Sequence, residues 1–302
     1  MKELLVISGK GGTGKTTVVA SFSRLAREAV LADYDVDAPD LWILLDPEIQ
    51  EERPFYGGYK PRVVADLCNG CDVCGEHCQF GAIEAGVVDY LECEGCGFCE
   101  EVCPEGAIVM EEALSGHLYL SQTPYGPFVF ARLRPGEENS GKLVTEVKKE
   151  ARERATQEEA TLLISDGPPG IGCPVIASLN QVHLALIVTE PSLSALSDLK
   201  RTIELCRFLR IPSAVVINRF DLNPQKTEEI ETFCKAQGIA LLQKIPFDRR
   251  IPELLVQRKS PLEGPPEVQR PFLELWERVL ALLGEALPEK EGGGEKHQHS
   301  QA

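Results

Sequence analysis

The sequence lacks long hydrophobic runs and any excess of positive charge. No apolar segment approaches the ~20 residues that a membrane-spanning helix needs. The 302 residues carry 31 Lys and Arg against 47 Asp and Glu, a formal net charge of −16, which disfavours non-specific binding to nucleic acid or to anionic lipid. The N-terminus enters a strand pattern directly, without the pattern of a secretory signal. We therefore expect a cytoplasmic protein that binds neither membranes nor nucleic acid.

Disulfide bonds are not expected either, although the chain has eleven cysteines. Cytosolic thiols stay reduced, so metal binding is the better interpretation of so many cysteines. Eight of them fall between residues 68 and 103, and the other three, Cys173, Cys206 and Cys234, are scattered. The clustering predicts one local metal-binding segment.

Short apolar runs alternate with helical patterns over most of the chain. Because strands that alternate with helices form parallel sheets, this rhythm predicts an α/β fold with a doubly wound, mostly parallel sheet. The predicted strands are Leu4–Ile7, Ala29–Ala32, Leu162–Ser165, Leu184–Thr189, Ala214–Asn218 and Ile239–Ile245. The predicted helices are Thr16–Glu28, Lys142–Ala155, Leu193–Leu209, Thr227–Gln237 and Val268–Leu283.

The α/β rhythm is interrupted in the middle of the chain. We predict a first part of the main domain at 1–58, an α+β insert at 59–113 and a second part of the main domain at 114–283. The polar, glycine-rich residues 284–302 are expected to be a disordered tail. A hairpin is predicted just after the insert, around TPYGP at 123–127, and its aromatic side chains are expected to pack the insert onto the main domain.

A glycine-rich stretch, SGKGGTGKTT at residues 8–17, joins the first predicted strand to the first predicted helix. Residues 9–16 fit the pattern G-x-x-x-x-G-K-[ST], in which backbone N–H groups surround phosphate oxygens at a helix N-terminus. Lys15 is then expected to reach the β- and γ-phosphates, and Thr16 the Mg²⁺ ion. The predicted nucleotide-binding residues of this loop are Gly9, Gly11, Gly12, Thr13, Gly14, Lys15, Thr16 and Thr17.

Two cysteine runs repeat the spacing C-x2-C-x2-C-x3-C. This is the spacing of two-cluster bacterial ferredoxins, in which the fourth cysteine of each run binds the other cluster. It predicts two [4Fe-4S] clusters. One would be held by Cys68, Cys71, Cys74 and Cys103, and the other by Cys93, Cys96, Cys99 and Cys78. Zinc is the alternative, because C-x2-C pairs also bind it, but zinc does not account for the repeated x3 ending.

The phosphate loop resembles the deviant Walker A motif, K-G-G-x-G-K-[ST], of the MinD/Mrp/ParA and nitrogenase iron protein superfamily. This resemblance covers nearly all of the chain except its tail, and it implies a P-loop ATPase with an inserted ferredoxin-like domain. In these proteins the early lysine, here Lys10, crosses a dimer interface to the partner's nucleotide. The resemblance therefore implies an ATP-dependent homodimer in which both Lys10 and Lys15 serve catalysis.

Three further stretches resemble functional segments of this superfamily. DYDVDAP (33–39) resembles switch I, which implies that Asp35 orients the attacking water and that Asp33 lies nearer the Mg²⁺ ion. DGPPG (166–170) resembles the Walker B and switch II stretch, so Asp166 would hold Mg²⁺ through water. VVINRFD (215–221) resembles the base-contacting strand end, where Asn218 offers a donor and an acceptor to adenine.

Members of this superfamily differ in task, and two functions remain open. The sequence EKEGGGEKHQHSQA lacks the apolar face expected of a MinD-like membrane helix, and the acidic composition disfavours ParA-like DNA binding. The protein would be either an ATP-gated electron carrier or an iron–sulfur scaffold that delivers clusters to apo-proteins. Eight matched cysteines suit retention, which favours electron transfer. Twelve Asp and Glu against two Lys and Arg in residues 60–112 predict a basic redox or apo-protein partner.

Cys173 lies seven residues after Asp166, the offset of a cluster-ligating cysteine in the nitrogenase iron protein. Three interpretations are open: a buried residue that packs switch II, a thiol that reports the nucleotide state to the insert, and a ligand of a subunit-bridging cluster. A bridging cluster lacks its second cysteine, because none occurs between Pro104 and Gly172. We favour the reporting thiol and expect Cys173 to cap the helix that begins at Pro174.

Overall fold

A nine-stranded sheet crosses the centre of the protein. It is seen in a computed structural model that describes residues 1–137 and 141–285. The strands are β1 (Lys2–Ser8), β2 (Ala29–Asp33), β3 (Glu48–Val63), β4 (Ile83–Glu84), β5 (Val87–Val88), β6 (Ile108–Thr123), β7 (Gly126–Leu133), β8 (Leu162–Pro169), β9 (Leu184–Thr189), β10 (Ser213–Asn218) and β11 (Ala240–Ile245). The sheet order is β11-β10-β9-β1-β8-β2-β7-β6-β3, and β4 and β5 form a separate short hairpin.

Helices cover both faces of the main sheet. They are α1 (Lys15–Leu25), α2 (Leu41–Leu45), α3 (Val73–His77), α4 (Phe98–Val102), α5 (Lys142–Gln157), α6 (Cys173–Leu179), α7 (Ala195–Phe208), α8 (Pro224–Ala236), α9 (Arg250–Val256) and α10 (Pro266–Glu285). Two short 3₁₀ turns, Phe220–Leu222 and Pro261–Glu263, complete the series. None of the helices described in residues 1–137 and 141–285 is both long and apolar enough to cross a membrane.

Neighbouring strands from β11 to β7 in the sheet order pair in parallel, and β6 pairs antiparallel with both β7 and β3 at one edge. This confirms the predicted mostly parallel sheet, and all six predicted strands are present. A parallel sheet is buried on both faces, which is why its strands read as continuous apolar runs. In β1, Leu5 and Ile7 face the layer of α5 to α8, whereas Leu4 and Val6 face the layer of α1, α2 and α10.

All five predicted helices are present, and most of their ends differ from the predicted positions by one to three residues. The first helix ends at Leu25, not at Glu28, because Ala26 is extended and Glu28 adopts a left-handed φ of +51°. The last helix continues to Glu285, two residues into the predicted tail. Residues 286–302 of that tail lie outside the described residues.

The antiparallel edge carries the insert on a long two-stranded ribbon. Strands β3 and β6 are 16 residues each, so the predicted boundaries at residues 59 and 113 fall inside these strands. The predicted hairpin is confirmed as β6 and β7. The expectation that its aromatic residues pack against the insert is wrong: Phe128 and Phe130 are fully buried in the core beside α1, because β7 pairs with β2.

Candidate functional site

The glycine-rich loop joins β1 to α1 at the carboxyl edge of the sheet. Gly12 and Gly14 have φ angles of +76° and +97°, in the left-handed region that favours glycine. A Cβ at Gly14 would lie 2.5 Å from Nδ2 of Asn218, so a larger residue would displace that side chain. The chain thus turns tightly into the N-terminus of α1, where the helix dipole and free N–H groups favour an anion.

Lys15 and Thr16 meet the acidic side chains of both switch segments. Lys15 is buried, and its Nζ lies 3.9 Å from Oδ2 of Asp35. Thr16 Oγ1 donates a 2.5 Å hydrogen bond to Oδ2 of Asp166. The structure therefore brings four of the predicted site residues together at the start of α1.

Asp166 has the surroundings expected of a residue that holds a cation. Burial raises the pKa of Asp166 to about 7, while the Lys15 charge and the Thr16 hydroxyl oppose this rise. Its Oδ1 is buried and has no hydrogen-bond partner among the residues that the structure describes. A divalent cation would satisfy this oxygen and favour the ionised carboxylate. Thr16 and Asp166 thus fit a Mg²⁺ site.

Asp33 lies beside Asp166, because β2 and β8 pair in register at these two residues. It is fully buried and accepts hydrogen bonds from the backbone N–H groups of Asp35 (3.0 Å) and Leu41 (3.3 Å). Burial, with the charge of Asp166, raises the pKa of Asp33 well above its usual range. Asp33 therefore shapes the loop that follows β2, and its predicted approach to Mg²⁺ stays a prediction.

Asp35 is more accessible than Asp33. Burial raises the pKa of Asp35 to about 6, and the nearby Lys15 charge opposes the rise. The carboxyl is therefore mostly ionised at neutral pH. An ionised carboxylate can accept a hydrogen bond from a water molecule, as its predicted role requires.

The Lys10 side chain forms its contacts within its own subunit. Its Nζ lies 2.8 Å from Oε1 of Glu190 and 2.8 Å from Oγ of Ser192. Arg219 shares the same carboxylate, with Nη1 3.0 Å from Glu190 Oε2, and it also donates to the carbonyl oxygen of Gly12 at 3.3 Å. The role of Lys10 in a partner subunit stays a prediction.

Asn218 braces the phosphate loop from the end of β10. Its Nδ2 donates a 2.8 Å hydrogen bond to the carbonyl oxygen of Thr13, and its predicted contact with adenine stays a prediction. The sequence did not single out Glu190 or Arg219 as site residues. A signal was available, because both follow directly after parallel strands, and the carboxyl edge of such a sheet is where α/β proteins bind ligands.

A cavity of 690 Å³ opens beside the loop. It is bounded by the phosphate loop, by Asp35 and Asp40, by parts of the segment 168–174 and by Arg219. Pockets for small molecules commonly measure about 300–1,000 Å³. The cavity is therefore large enough for a nucleotide whose phosphates lie on the loop.

The eight clustered cysteines form two groups that cross the two runs. Cys68, Cys71, Cys74 and Cys103 line a cavity of 20 Å³, which we name the first cysteine site. Cys78, Cys93, Cys96 and Cys99 line a cavity of 340 Å³, which we name the second cysteine site. The fourth cysteine of each run thus lies with the other run, the grouping that the spacing predicts. Metal binding by these thiols stays a prediction.

The two halves of the insert repeat one local geometry. The Sγ atom of Cys78 accepts a hydrogen bond from the N–H of Ala82 at 3.4 Å, and that of Cys103 from the N–H of Ala107 at 3.3 Å. The Sγ atom of the fourth cysteine of each run is therefore oriented by the same kind of hydrogen bond. Within residues 1–137 and 141–285, no three His, Cys, Asp or Glu side chains are arranged to hold a single metal ion.

Cys173 lies at the start of α6, where it is exposed. The interpretation of Cys173 as a buried packing residue is therefore wrong. The expected helix cap is also wrong, because Gly172 is the N-cap and Cys173 is the first helical residue.

Comparison with known proteins decides the family. Residues 4–262 match the family model of the CobQ/CobB/MinD/ParA nucleotide binding domain. The chain belongs to this family. The matched residues include 8–17, so the predicted phosphate-binding loop lies within the nucleotide binding domain of the CobQ/CobB/MinD/ParA family.

Individual relatives include proteins with the same fold and one distant relative with a named function. The chain is 31% identical to an uncharacterized protein of Methanocaldococcus jannaschii, over 93% of this chain and 97% of that protein. It is 25% identical to an iron-sulfur cluster carrier protein of Pyrococcus furiosus, over 48% of this chain and 54% of the carrier. The septum site-determining protein MinD of Pyrococcus horikoshii, solved with Mg-ADP, superposes with a TM-score of 0.58 at 18% identity, over 95% of this chain and 98% of that chain. At this identity the likeness to MinD shows the fold alone.

Proposed function

We propose that the protein is a cytoplasmic, ATP-hydrolysing iron–sulfur protein in which nucleotide-dependent dimerisation controls electron transfer through two [4Fe-4S] clusters. The observation that carries the proposal is the crossed grouping of eight cysteines around two separate cavities in a nucleotide-binding chain. Neither run alone supplies a complete site. Each site instead draws three thiols from one run and one from the other, as two-cluster ferredoxins do.

The four thiols of each cysteine site match the donor set of a four-iron cube. A cube offers one iron to each of four thiolates, whereas zinc draws all four sulfurs to within about 2.3 Å of one ion. When bound, the clusters would supply one-electron transfer from a reduced donor protein to an oxidised acceptor protein. Phe80, Ile83 and Phe98 line the second cysteine site, where they would limit the access of water to the sulfurs.

The nucleotide site supports hydrolysis of ATP. Attack of water on the γ-phosphorus forms one P–O bond and breaks the bond to the bridging oxygen, which leaves with ADP. Lys15 would neutralise the charge that develops on the β- and γ-phosphates. Asp35 would orient the water, whose released proton passes to phosphate or solvent. Thr16 and Asp166 would hold Mg²⁺, which supplies further charge neutralisation when bound.

Dimerisation would require the Lys10 side chain to give up its contacts within its own subunit. In the proposed dimer Lys10 reaches the nucleotide of the partner subunit, so its ion pair with Glu190 must break. Glu190 would still be paired with Arg219, which lies 3.0 Å away. Release of the lysine therefore leaves no unpaired carboxylate, and this lowers the cost of the exchange.

Cluster delivery is the second candidate function. The 25% identity to an iron-sulfur cluster carrier protein over about half of this chain supports it. Cys71 and Cys96 are exposed, which would let an acceptor's thiols attack one corner of each cluster. The partner would then be an apo-protein instead of a redox protein, and in either case the acidic insert favours a basic surface.

Anaerobic reconstitution tests the proposal. The protein should bind about eight irons and eight sulfides per chain, and a reductive titration should differ with and without a non-hydrolysable ATP analogue. Clusters that stay in place during incubation with an apo-acceptor support electron transfer, whereas rapid loss supports delivery. Stoichiometric zinc without sulfide would rule out both functions.

A further inference from the structure

The switch I loop is connected to the insert through the end of β7. Val36, the residue after Asp35, is buried, and its carbonyl oxygen accepts a 3.3 Å hydrogen bond from the N–H of Leu133. Leu133 ends β7, and Gly136 and Glu137, which follow it, lie against the insert. A movement of the Asp35 loop would therefore change the position of the chain at the start of the segment 134–137.

Lys60 links that segment to the insert. Its Nζ lies 2.8 Å from Oε1 of Glu137 and donates a 2.8 Å hydrogen bond to the carbonyl oxygen of Tyr90. The side chains of Lys60 and Glu137 are only 13% and 17% exposed, so water and salt screen this ion pair less than a surface pair. Only two residues lie between Tyr90 and Cys93 of the second cysteine site.

A second contact accompanies this ion pair. Leu91, the residue after Tyr90, packs against Gly136, where a Cβ would lie 3.2 Å from Leu91 Cδ2. Beside the contact is a cavity of 360 Å³ that Lys60, Leu91 and Glu137 help to line. Residues 134–137 therefore contact the insert at two places, through Lys60 and through Leu91. The cavity beside these contacts leaves space for the insert to move.

The second cysteine site lies on this side of the insert, and the first does not. Pro61 and Gly95 line the cavity of the second site, and Gly95 is so close to the carbonyl oxygen of Tyr59 that a Cβ would collide with it. The first site is lined by Ile108 instead. Ile108 pairs with Val63 at the end of the ribbon that is farther from the main sheet.

We propose that Lys60 is a positioning residue through which the nucleotide state of the Asp35 loop alters the surroundings of the second cysteine site and shifts its reduction potential, while the first site is unaffected. This inference rests on the proposed function, because it needs both a bound nucleotide and bound clusters. The reduction potential of only one site would then depend on nucleotide, although the two cysteine runs have the same spacing.

The test compares Lys60→Met with Arg62→Met in reconstituted protein. Arg62 is a matched control, two residues along β3, and its side chain is 51% exposed and paired with Glu111 at 2.6 Å. Each protein is titrated reductively with ADP and with a non-hydrolysable ATP analogue. We expect the analogue to shift one of two reduction steps in the unsubstituted and Arg62→Met proteins. Lys60→Met should lose the shift, with its iron content and nucleotide affinity unchanged.

Two further measurements identify the cysteine site whose reduction potential responds to nucleotide. Phe98 lines only the second cysteine site, so Phe98→Leu should move the reduction step that responds to nucleotide. Hydrogen exchange should show nucleotide-dependent protection in both 133–137 and 88–97, and Lys60→Met should abolish only the change in 88–97. If Lys60→Met does not fold, Glu137→Gln removes the same ion pair and should give the same losses.

The outcomes separate this inference from the function on which it rests. If the unsubstituted protein shows no nucleotide-dependent shift, the proposed coupling is wrong and the inference fails with it. If that shift exists and Lys60→Met or Glu137→Gln retains it, the inference alone is overturned. A shift of the other reduction step, the one that Phe98→Leu leaves in place, would also overturn it.

Discussion

The nucleotide site and the cysteine insert are built in opposite ways. The nucleotide site takes its side chains from the ends of β1, β2, β8, β9 and β10, which are far apart in sequence and meet only in the folded sheet. The insert takes all eight cysteines from residues 68–103 and places them with short helices and turns. One site is therefore a product of the fold, and the other depends on local chain geometry.

The two regions also differ in what stabilises them. The main sheet has an extensive buried core on each face. The core cluster of the insert contains only three buried residues, Cys74, Ile83 and Ile108. Segments of about 40 residues seldom fold without a metal or a disulfide, and metal binding can supply the missing folding free energy. The comparison predicts that the main domain folds without a metal, whereas the insert would need bound metal to fold.

The largest expected effect is that of removing the iron. In iron-free protein, backbone amides of residues 64–107 should exchange with solvent almost as in an unfolded chain, while those of β1, β8 and β9 keep their protection. Hydrogen exchange of the reconstituted and the iron-free protein measures this. Cys74→Ala and Cys99→Ala should each lose mainly one cluster, because they belong to different sites. Full protection of 64–107 without iron would show that the insert is stable by itself.

The second expected effect separates the two lysines of the phosphate loop. Lys15→Ala should weaken nucleotide binding itself, because Lys15 is buried where the phosphates would lie. Lys10→Ala should bind nucleotide normally but lose ATP-dependent dimerisation, and hydrolysis should fall about 10³-fold if Lys10 acts like an arginine finger supplied in trans. Light scattering with a non-hydrolysable ATP analogue measures the dimer. A Lys10→Ala protein that dimerises normally would contradict the trans role.

A third effect should be confined to the main domain. Glu3 is fully buried and lies 2.6 Å from Nζ of Lys148 and 2.6 Å from Nη2 of Arg152. Glu3→Gln would leave two cations without their carboxylate, which should lower the free energy of unfolding by about 3–5 kcal/mol. Urea denaturation measures this loss. Glu158→Gln, which removes an exposed helical pair with Arg154, is the control and should change stability by about 0.5 kcal/mol at most.

Glu3→Gln also tests whether the insert depends on the stability of the main domain. Below the temperature at which the main domain unfolds, Glu3→Gln should leave the cluster spectrum and the iron content unchanged. A loss of iron in step with the loss of stability would mean that the insert depends on the main domain as well as on its clusters.

The smallest effect is expected at Cys173. The favoured hypothesis is a thiol that reports nucleotide state without ligating iron, and the exposure of Cys173 is compatible with it. Cys173→Ser should therefore retain full iron content and ATP binding, and reduce any nucleotide-dependent change in cluster potential. A loss of about two irons per chain, half of a shared four-iron cube, would favour a subunit-bridging cluster. No change in either assay would leave the residue without a role in coupling.

Local patterns predicted the parts of the protein that local chemistry determines. Buried strands such as Leu184–Thr189 were predicted to the residue, because a strand covered on both faces must be apolar throughout. The grouping of the cysteines followed from spacing alone. The ribbon strand β3 was missed, because its exposed, charged residues give no clear apolar alternation.

Contacts between distant parts of the chain were not predictable from local patterns. Glu190 and Arg219 are adjacent only because β9 and β10 end side by side. Nor could the pattern around Asp33 reveal that backbone N–H groups engage both of its oxygens. Such features depend on the register of strands and on loop paths, which a single sequence does not specify.

The position of β3 at the end of the sheet has a consequence for solubility. An edge strand of this length offers unpaired N–H and C=O groups to another chain, and long edge strands commonly seed aggregation. Here the edge carries Glu51, Glu52 and Arg53, followed by Pro54, which has no N–H to donate. Its pairing with β6 also shifts at residues 55–58, and such irregularities twist an edge away from flat contact. We therefore expect the protein to stay monodisperse even when it is prepared without iron.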